Sequence, residues 1–482
     1  MTELMKPVLA AAFAFLAGCS LTPDYERPDV RPSAAKMYPA AAGETESGIA
    51  VADIGWREFF HDPQLQELIE LALLNNNTLT SATLDILAAR AQYNIQSSER
   101  LPNLSIDGSL TRTRVPASVS ATGFEMTTEQ YQVGLGIAAF ELDFFGRVES
   151  LSESALAQYL ATEEAARSVK ITLIAEVARA YLAERALAEQ LELARQTLEG
   201  REAAYELAVQ RHEAGAASTF DLRQHEVLLE SAHVAVPALK REHAQARNAL
   251  VLLVGTPLDA FPETATLGAQ AFADRIPADL SSRLLVQRPD IRAAEQRLIS
   301  ANANIGAARA AFFPRISLTG SVGSVSGELS GLFGAGTDTW SFIPRISLPI
   351  FSGGRNSANL ELAKVRKHAA VVQYEQAVQT AFREVADALV ARATLNDQLS
   401  AQRRLRDAQA ERLALARQRY EAGAASYLEV LDAEREFFAA EQALVQVRQQ
   451  QLASAVGLYR ALGGGLRENS VSSQGEGEAA SG

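Results

Sequence analysis

Cysteine is nearly absent from this 482-residue chain, and Cys19 is the only one. A single thiol excludes an intramolecular disulfide and leaves no partner for a cysteine metal site. Methionine is scarce too, with four in all, two of them in the first five residues. A methionine-rich copper relay is therefore unsupported. Among the six histidines, His225, His233 and His243 fall on one predicted helix. They lack the i, i+4 spacing of a helical metal pair and read as solvated helix positions. There is no phosphate loop and no nucleophile motif. The glycines around Gly331 and Gly336 sit in a strand-connecting loop, not between a strand and a helix. Bases are outnumbered, 45 Lys+Arg against 58 Asp+Glu, for a formal net charge of −13. That balance argues against a nucleic-acid partner. Past the N-terminus no long apolar run occurs, so a membrane crossing would have to use strands. Only helices and closed barrels satisfy the backbone in lipid. Together these absences point away from an enzyme and from any metal or organic cofactor.

What is present begins at the N-terminus. Lys6 is followed by a short apolar run from Val8 to Leu16 and then by Leu16-Ala17-Gly18-Cys19-Ser20. The run is far shorter than the roughly 20 residues of a spanning helix, and it reads as a signal peptide, 1–18. Glu3 before the basic residue is unusual for such a segment, which makes Met5 an alternative start. The sole cysteine stands where a lipobox needs it, so Cys19 is expected to carry N-acyl and S-diacylglycerol lipid; an ordinary signal peptide with a chance cysteine is the bland alternative. Ser20 in the next position resembles the outer-membrane sorting default of bacterial lipoproteins. Cleavage removes Glu3 and Lys6 together and leaves the net charge unchanged.

The chain also repeats itself. Residues 210–218 (QRHEAGAAS) match 418–426 (QRYEAGAAS) at eight of nine positions, at an offset of 208. Leu101-Pro102-Asn103-Leu104-Ser105-Ile106 parallels Phe313-Pro314-Arg315-Ile316-Ser317-Leu318 at an offset of 212. Leu142-Asp143-Phe144-Phe145-Gly146-Arg147 parallels the segment from Leu348 to Arg355. Such a period is too long for a solenoid and describes two equivalent halves, joined where Pro257, Pro262 and Pro277 interrupt regular structure. Each half reads as a helix (64–100 and 290–312), a strand pair, a very long helix and a return helix.

The strand pairs alternate. Ile316, Leu318 and Val322 interleave with Ser317, Thr319 and Ser321; Trp340, Phe342, Ile346, Leu348 and Ile350 interleave with Ser341, Arg345 and Ser347. Leu104, Ile106 and Leu110 do the same with Ser105, Asp107 and Ser109. This is the pattern of a transmembrane β-barrel, and equally of a half-buried sheet. Near 131–144 the phase slips from Tyr131, Val133, Leu135 and Ile137 to Phe140, Leu142 and Phe144, which predicts a bulge at Ala138-Ala139. The long helices, about 149–213 and 357–421, contain no proline and almost no glycine. Each would be about 97 Å long at 1.5 Å per residue, in a composition typical of coiled coils. Gly215 and Gly423 mark the reversals, as C-terminal caps that need positive φ. The return helices are 218–254 and 426–461, and Pro237 is expected to kink or divide the first of them.

Four strands cannot close a barrel alone. Two copies would give a plugged eight-stranded barrel, and three an open twelve-stranded one. Here the chain resembles the TolC-like outer-membrane factors, in particular the lipoprotein branch (NodT/OprM-type) that serves RND tripartite efflux pumps. The resemblance rests on the lipobox, on Arg288-Pro289-Asp290-Ile291-Arg292-Ala293-Ala294-Glu295, on residues 303–314 (ANIGAARAAFFP), on Phe351-Ser352-Gly353-Gly354 and on Tyr459-Arg460-Ala461-Leu462-Gly463-Gly464-Gly465. It extends to about residue 465.

The resemblance implies an α+β membrane protein. Four strands per protomer would make twelve in a homotrimer, continuous with a long periplasmic α-helical barrel. It divides the chain into a signal peptide (1–18), a lipid-anchored segment (19–62), a first repeat (63–255, with its β-hairpin at 101–147), a linker (256–285), a second repeat (286–465, with its β-hairpin at 314–352) and a disordered tail (466–482). It implies passive conduction of small molecules from an inner-membrane RND pump, through a periplasmic adaptor, to the exterior. The family's periplasmic aperture, carried over to 426–432, falls on Leu428 and Asp432. Glu429 stands where some relatives have a second aspartate. In the first half Asp221 is in register with Glu429, and Gln224 with Asp432. Without the resemblance, Leu428 is equally a coiled-coil core residue and Asp432 a solvated one. A periplasmic coiled-coil lipoprotein acting as scaffold or adaptor would explain the anchor and the helices but not the duplicated strands.

Overall fold

The duplication is visible in the element lengths. The computed structural model describes residues 21–30, 33, 36, 37, 54–121, 123–258, 267 and 287–469. The signal segment, Cys19 and most of the linker lie outside the described residues. Helices α1 (Pro63–Asn75) and α2 (Asn77–Ser98) lead into strands β1 (Leu104–Val115) and β2 (Met126–Leu142), followed by α3 (Arg147–Glu213) and α4 (Thr219–Val254). The second half runs α5 (Pro289–Ala310), β3 (Arg315–Ser326), β4 (Asp338–Ser347), α6 (Arg355–Glu421) and α7 (Tyr427–Ala461). Helices α3 and α6 have 67 residues each, α2 and α5 have 22 each, and β1 and β3 have 12 each. At 1.5 Å per residue, α3 and α6 are each about 100 Å long.

The compact units are not the repeats. One unit takes Met1–Pro28, Asp85–Glu163 and Ala293–Tyr374, and the other takes Asp29–Leu84, Glu164–Arg292 and Glu375–Gly482. Each therefore draws on both halves of the duplication.

The first unit holds an antiparallel meander, β1-β2-β3-β4. Its register puts the apolar positions of all four strands on one face. Leu104 pairs with Ile137 and Ile106 with Leu135. Leu135 in turn pairs with Val322, and Leu142 with Ile316. Val322 faces Trp340, and Ile316 faces Ile346. The predicted bulge is present: the register shifts between Ile137 and Phe140, Ala139 takes φ +50°, and its N–H donates to Thr319 Oγ1 at 3.1 Å. Two residues stand opposite one, so Phe140 and Leu142 return to the apolar face. The other face carries Ser105, Asp107, Gln132, Ser317, Ser321 and Arg345, with Ser321 and Ser341 hydroxyls 2.8 Å apart. Along β2 the apolar face runs from Tyr131, opposite Ser326, to Leu142, opposite Ile316. Ten residues rise about 33 Å, or about 25 Å once a strand tilts as barrels require. That matches the apolar band of a membrane barrel, whereas no helix among the described residues is long and apolar enough to cross a membrane.

Several expectations need correction. The first helix is not continuous over 64–100. It breaks at Asn76, whose side chain accepts the Leu79 N–H at 3.0 Å and donates to Leu253 O at 2.8 Å, capping one helix while tying it to α4. Pro237 does not divide α4, which is assigned as one helix through it. Strand β4 stops at Ser347, so Leu348 and Ile350 lie beyond it. The first residues assigned to the tail, 466–469, are held: Trp56 N–H donates to Arg467 O at 3.1 Å, and Arg57 pairs with Glu468 at 2.6 Å, while 470–482 lie outside the described residues. His233 is exposed, but His243 and His225 are not simply solvated. His243 Nε2 lies 2.8 Å from the buried Glu184 carboxylate, and His225 stacks on Tyr427.

The second unit has its own core. Phe59 stacks on Tyr459 at 4.0 Å between ring centres, and Tyr459 Oη donates to Ile54 O at 2.8 Å. Arg288, the first residue of the motif that carried the resemblance, is buried. It donates to Asp290, to Glu384 Oε2 at 2.8 Å and to Ala461 O at 2.9 Å. A buried cation needs this many partners to offset its lost hydration.

Candidate functional site

All the residues expected at the aperture lie in the second unit, around two helix reversals. The reversals share one backbone. After α3, Gly215 N–H donates to His212 O at 2.9 Å and Ala216 N–H to Arg211 O at 2.8 Å. After α6, Gly423 donates to Tyr420 O at 2.9 Å and Ala424 to Arg419 O at 2.8 Å. Both glycines have φ +70°. This is a Schellman-type stop, in which the residue beyond the helix turns left-handed and releases its amides to the last carbonyls. A Cβ at either glycine would meet nothing within 4 Å, so glycine is needed there for its conformation and not for space.

The side chains then diverge. In the first reversal Ser218 and Asp221 form a capping box: Asp221 N–H donates to Ser218 Oγ at 3.1 Å, while Ser218 N–H and Oγ donate to Asp221 Oδ2 at 3.2 and 2.7 Å. The Ser218 hydroxyl, helped by its N–H, holds the Asp221 carboxyl below its ordinary value. Asp221 therefore has a helix-capping job, and the structure does not bring it to Asp432. In the second reversal Ser426 caps nothing with its side chain, and Glu429 pairs with Arg419 at 3.0 Å.

Asp432 sits on the second turn of α7, held by two arginines. Arg412 Nη2 lies 2.5 Å from one carboxylate oxygen and Arg435 Nη2 2.7 Å from the other. The acid is 39% exposed, so each contact is weakened by water and the pair of them acts as a clamp more than as a source of stability. Leu428 is 57% exposed, and with Phe220, Val227 and Leu431 it lines an apolar groove of about 330 Å³ between α4 and α7 that Asp432 and Arg435 rim. Leu428 is thus an exposed apolar side chain one turn before the acid, and not a core leucine. Phe220 and Gln224 occupy the matching positions of the first repeat and share the groove.

Below the reversals an aromatic cluster joins the four helix ends. Arg211 donates to Tyr420 Oη at 2.6 Å, Tyr420 meets Tyr427 edge-on at 5.0 Å, and Tyr427 stacks on His225 at 4.3 Å. These rings cover a core of Leu413, Ala416, Val430 and Ala433. Burial pushes the His225 imidazolium's acidity so that the ring prefers to be neutral, and it pushes the Tyr427 phenol up. Sequence reading missed this cluster and the Asp432 clamp. A signal was available: folding the chain back about residue 423 places 412 beside 432, 419 beside 429 and 420 beside 427, as an antiparallel helical hairpin must. Among the described residues no group of three His, Cys, Asp or Glu side chains is disposed to hold a metal ion.

Comparison with known proteins agrees with this architecture. The profile of the outer membrane efflux protein family matches residues 68–256 and 280–464, one span for each repeat. The chain is 46% identical over 471 residues to the probable efflux pump outer membrane protein TtgC of Pseudomonas putida, covering 97% of both chains. It is 47% identical to the outer membrane protein OprJ of Pseudomonas aeruginosa, covering 94% of each. Among solved structures it resembles the open state of the MtrE outer membrane channel of Neisseria gonorrhoeae, with a TM-score of 0.85, 41% identity, and 94% of this chain and all of that one covered. The chain therefore belongs to the outer membrane efflux protein family.

Proposed function

We propose that this protein is the outer-membrane channel of a tripartite RND-type efflux pump, conducting small molecules passively from the periplasmic machinery to the exterior. The observation that carries the reading is the sheet. Its register gathers the apolar side chains of four strands on one face about 25 Å high. It ends in two edges, β1 and β4, with no partner strand among the described residues. Open edges of this length are a liability unless they pair, and a closed barrel is what lipid demands. Three copies in a ring join each β1 to a neighbour's β4 and make twelve strands around an aqueous bore.

In this reading Cys19 carries the N-acyl and S-diacylglycerol lipid that anchors the chain beside the barrel. The partners are two further copies, a periplasmic adaptor and an inner-membrane RND pump, with no reaction catalysed. Leu428 and Asp432 narrow the periplasmic aperture, with Gly215 and Gly423 setting the reversals, Glu429 supporting its own hairpin through Arg419, and Asp221 capping α4. Three Asp432 carboxylates around one axis would repel each other, and the Arg412 and Arg435 clamp offsets that repulsion.

The test is purification from outer membranes followed by two measurements. A heat-modifiable trimer on gels and ion conductance in planar bilayers are expected. A stable monomer without conductance would overturn the reading. Cys19→Ala with the signal retained should leave partial efflux, because the strands hold the barrel in the membrane without acyl chains.

A further inference from the structure

A second charged groove lies in the first unit, between α5 and the start of α6. It has a volume of about 330 Å³ and is lined by Arg297, Ser300 and Asn304 of α5 with Asn359, Leu362 and Arg366 of α6. No carboxylate lines it. Among the described residues neither arginine has a hydrogen bond or an ion pair. Most other arginines near it do: Arg27 pairs with Glu295, Arg309 donates to Leu21 O, and Arg315 pairs with Glu141. The amide nitrogen of Asn304 is already committed to Ser154 Oγ at 2.8 Å and Ser300 O at 3.0 Å. The two guanidinium groups are thus the uncommitted charged donors of the groove.

Residues 21–28, just downstream of Cys19, cross one face of α5 as a strap. Tyr25 and Arg27 bind Glu295 there, Thr22 lies against Gly306, and Arg309 holds Leu21 O. Nine residues at about 100° each amount to half a turn. Asn304 is nine from Glu295, Arg297 nine from Gly306, and Ser300 nine from Arg309. The groove therefore occupies the face of α5 opposite the strap. On the channel reading, a strap that descends from a lipid anchor outside the barrel runs along the outer surface of the helices, so the opposite face of α5 looks into the duct. On α6, Asn359, Leu362 and Arg366 stand at i, i+3 and i+7 and continue that inner stripe.

The repeats differ at these positions. By the offset of 212 the counterpart of Arg297 is Asp85, and by the offset of 208 the counterpart of Arg366 is Gln158. In a trimer the level would carry six guanidinium groups against three carboxylates. Positive side chains on the wall of a confined aqueous passage concentrate anions. The planar fork of arginine suits carboxylate and phosphate oxygens in pairs.

We propose that the Arg297–Arg366 groove is an anion-docking station on the inner wall of the duct, biasing passage at that level toward carboxylate- or phosphate-bearing solutes. This rests on the channel reading and on the anchored strap. The test uses the full-length trimer in planar bilayers with tripolyphosphate as the probe. Wild-type current should be blocked, and Arg297→Gln/Arg366→Gln should weaken the block several-fold and shift the reversal potential toward cation preference. Asp85→Asn should strengthen the block. Modification of an Arg366→Cys trimer by a bulky membrane-impermeant thiol reagent should lower its conductance.

Equal block in wild type and the double variant would overturn the proposal. So would an Arg366→Cys trimer indifferent to the reagent. Loss of the heat-resistant trimer in the double variant would do the same, since the arginines would then serve assembly. Absence of any wild-type pore would instead sink the channel reading itself.

Discussion

The two helix reversals have the same backbone and different side-chain chemistry. Their hydrogen bonds agree to within 0.1 Å, and both glycines take φ +70°. Yet Asp221 is spent on a cap, while its counterpart Glu429 reaches Arg419, and Gln224 stands where Asp432 is clamped by Arg412 and Arg435. Duplication has preserved what the backbone needs in order to turn. It has left the exposed first turns of α4 and α7 free to diverge, because solvent-facing positions constrain folding little. In the proposed trimer, one repeat alone would therefore supply the acid ring.

That comparison can be pressed at three points, from the largest effect to the smallest. Replacing Leu428 and Asp432 together with small neutral residues should raise bilayer conductance several-fold, because it would remove both the proposed apolar constriction and the clamp. The matching change at Phe220 and Gln224 should alter conductance far less. Equal effects in the two repeats would erase the distinction drawn here.

Gly215→Ala and Gly423→Ala should each destabilise by about 1–2 kcal/mol, the cost of a Cβ in left-handed backbone. The two losses should match, since the motifs are the same. Thermal unfolding of the helical circular dichroism signal would reveal any inequality.

Ser218→Ala should loosen the start of α4, whereas Ser426→Ala should do little, since only Ser218 makes a side-chain cap. The first effect carries a pH signature. Asp221 is held below its ordinary value in the folded state. Its contribution is therefore complete above the unfolded carboxylate value of about 3.9 and is lost as pH falls through the lowered folded value. Hydrogen exchange at residues 219–222 should report that loss in the wild type and not in Ser218→Ala. An acid response that survives the substitution would mean the cap is not its source.

Much of the fold was legible along the chain because local periodicity encodes it. The phase slip at Ala138-Ala139 named the bulge, since side chains alternate with period 2 and one extra residue inverts them. The proline-free runs marked α3 and α6. What escaped has a common cause. Asn76 caps α2 through the Leu79 N–H, but its tie to Leu253 O, 177 residues away, exists only once the helices pack. His243 is held by Glu184 and His225 by Tyr427, across helices that the sequence places far apart. Pro237 fails to divide α4 although propensity argued for it, as tertiary packing routinely overrides propensity.

Sequence alone determined the two equivalent halves, the apolar and polar phases of the strands, the lengths of the long helices and the glycines at their reversals. The halves follow from matching one segment of the chain with another, and the rest are properties of residues within a few positions of one another, where short-range sterics and periodicity are written directly in the chain. Only the tertiary structure decided that all four strands share one apolar face with open edges. The same holds for Asp221 capping while Asp432 is clamped, and for Arg297 and Arg366 lining one groove with no counter-ion among the described residues. Those outcomes depend on which side chains come within hydrogen-bonding reach after the helices pack, and a one-dimensional pattern carries no such distance.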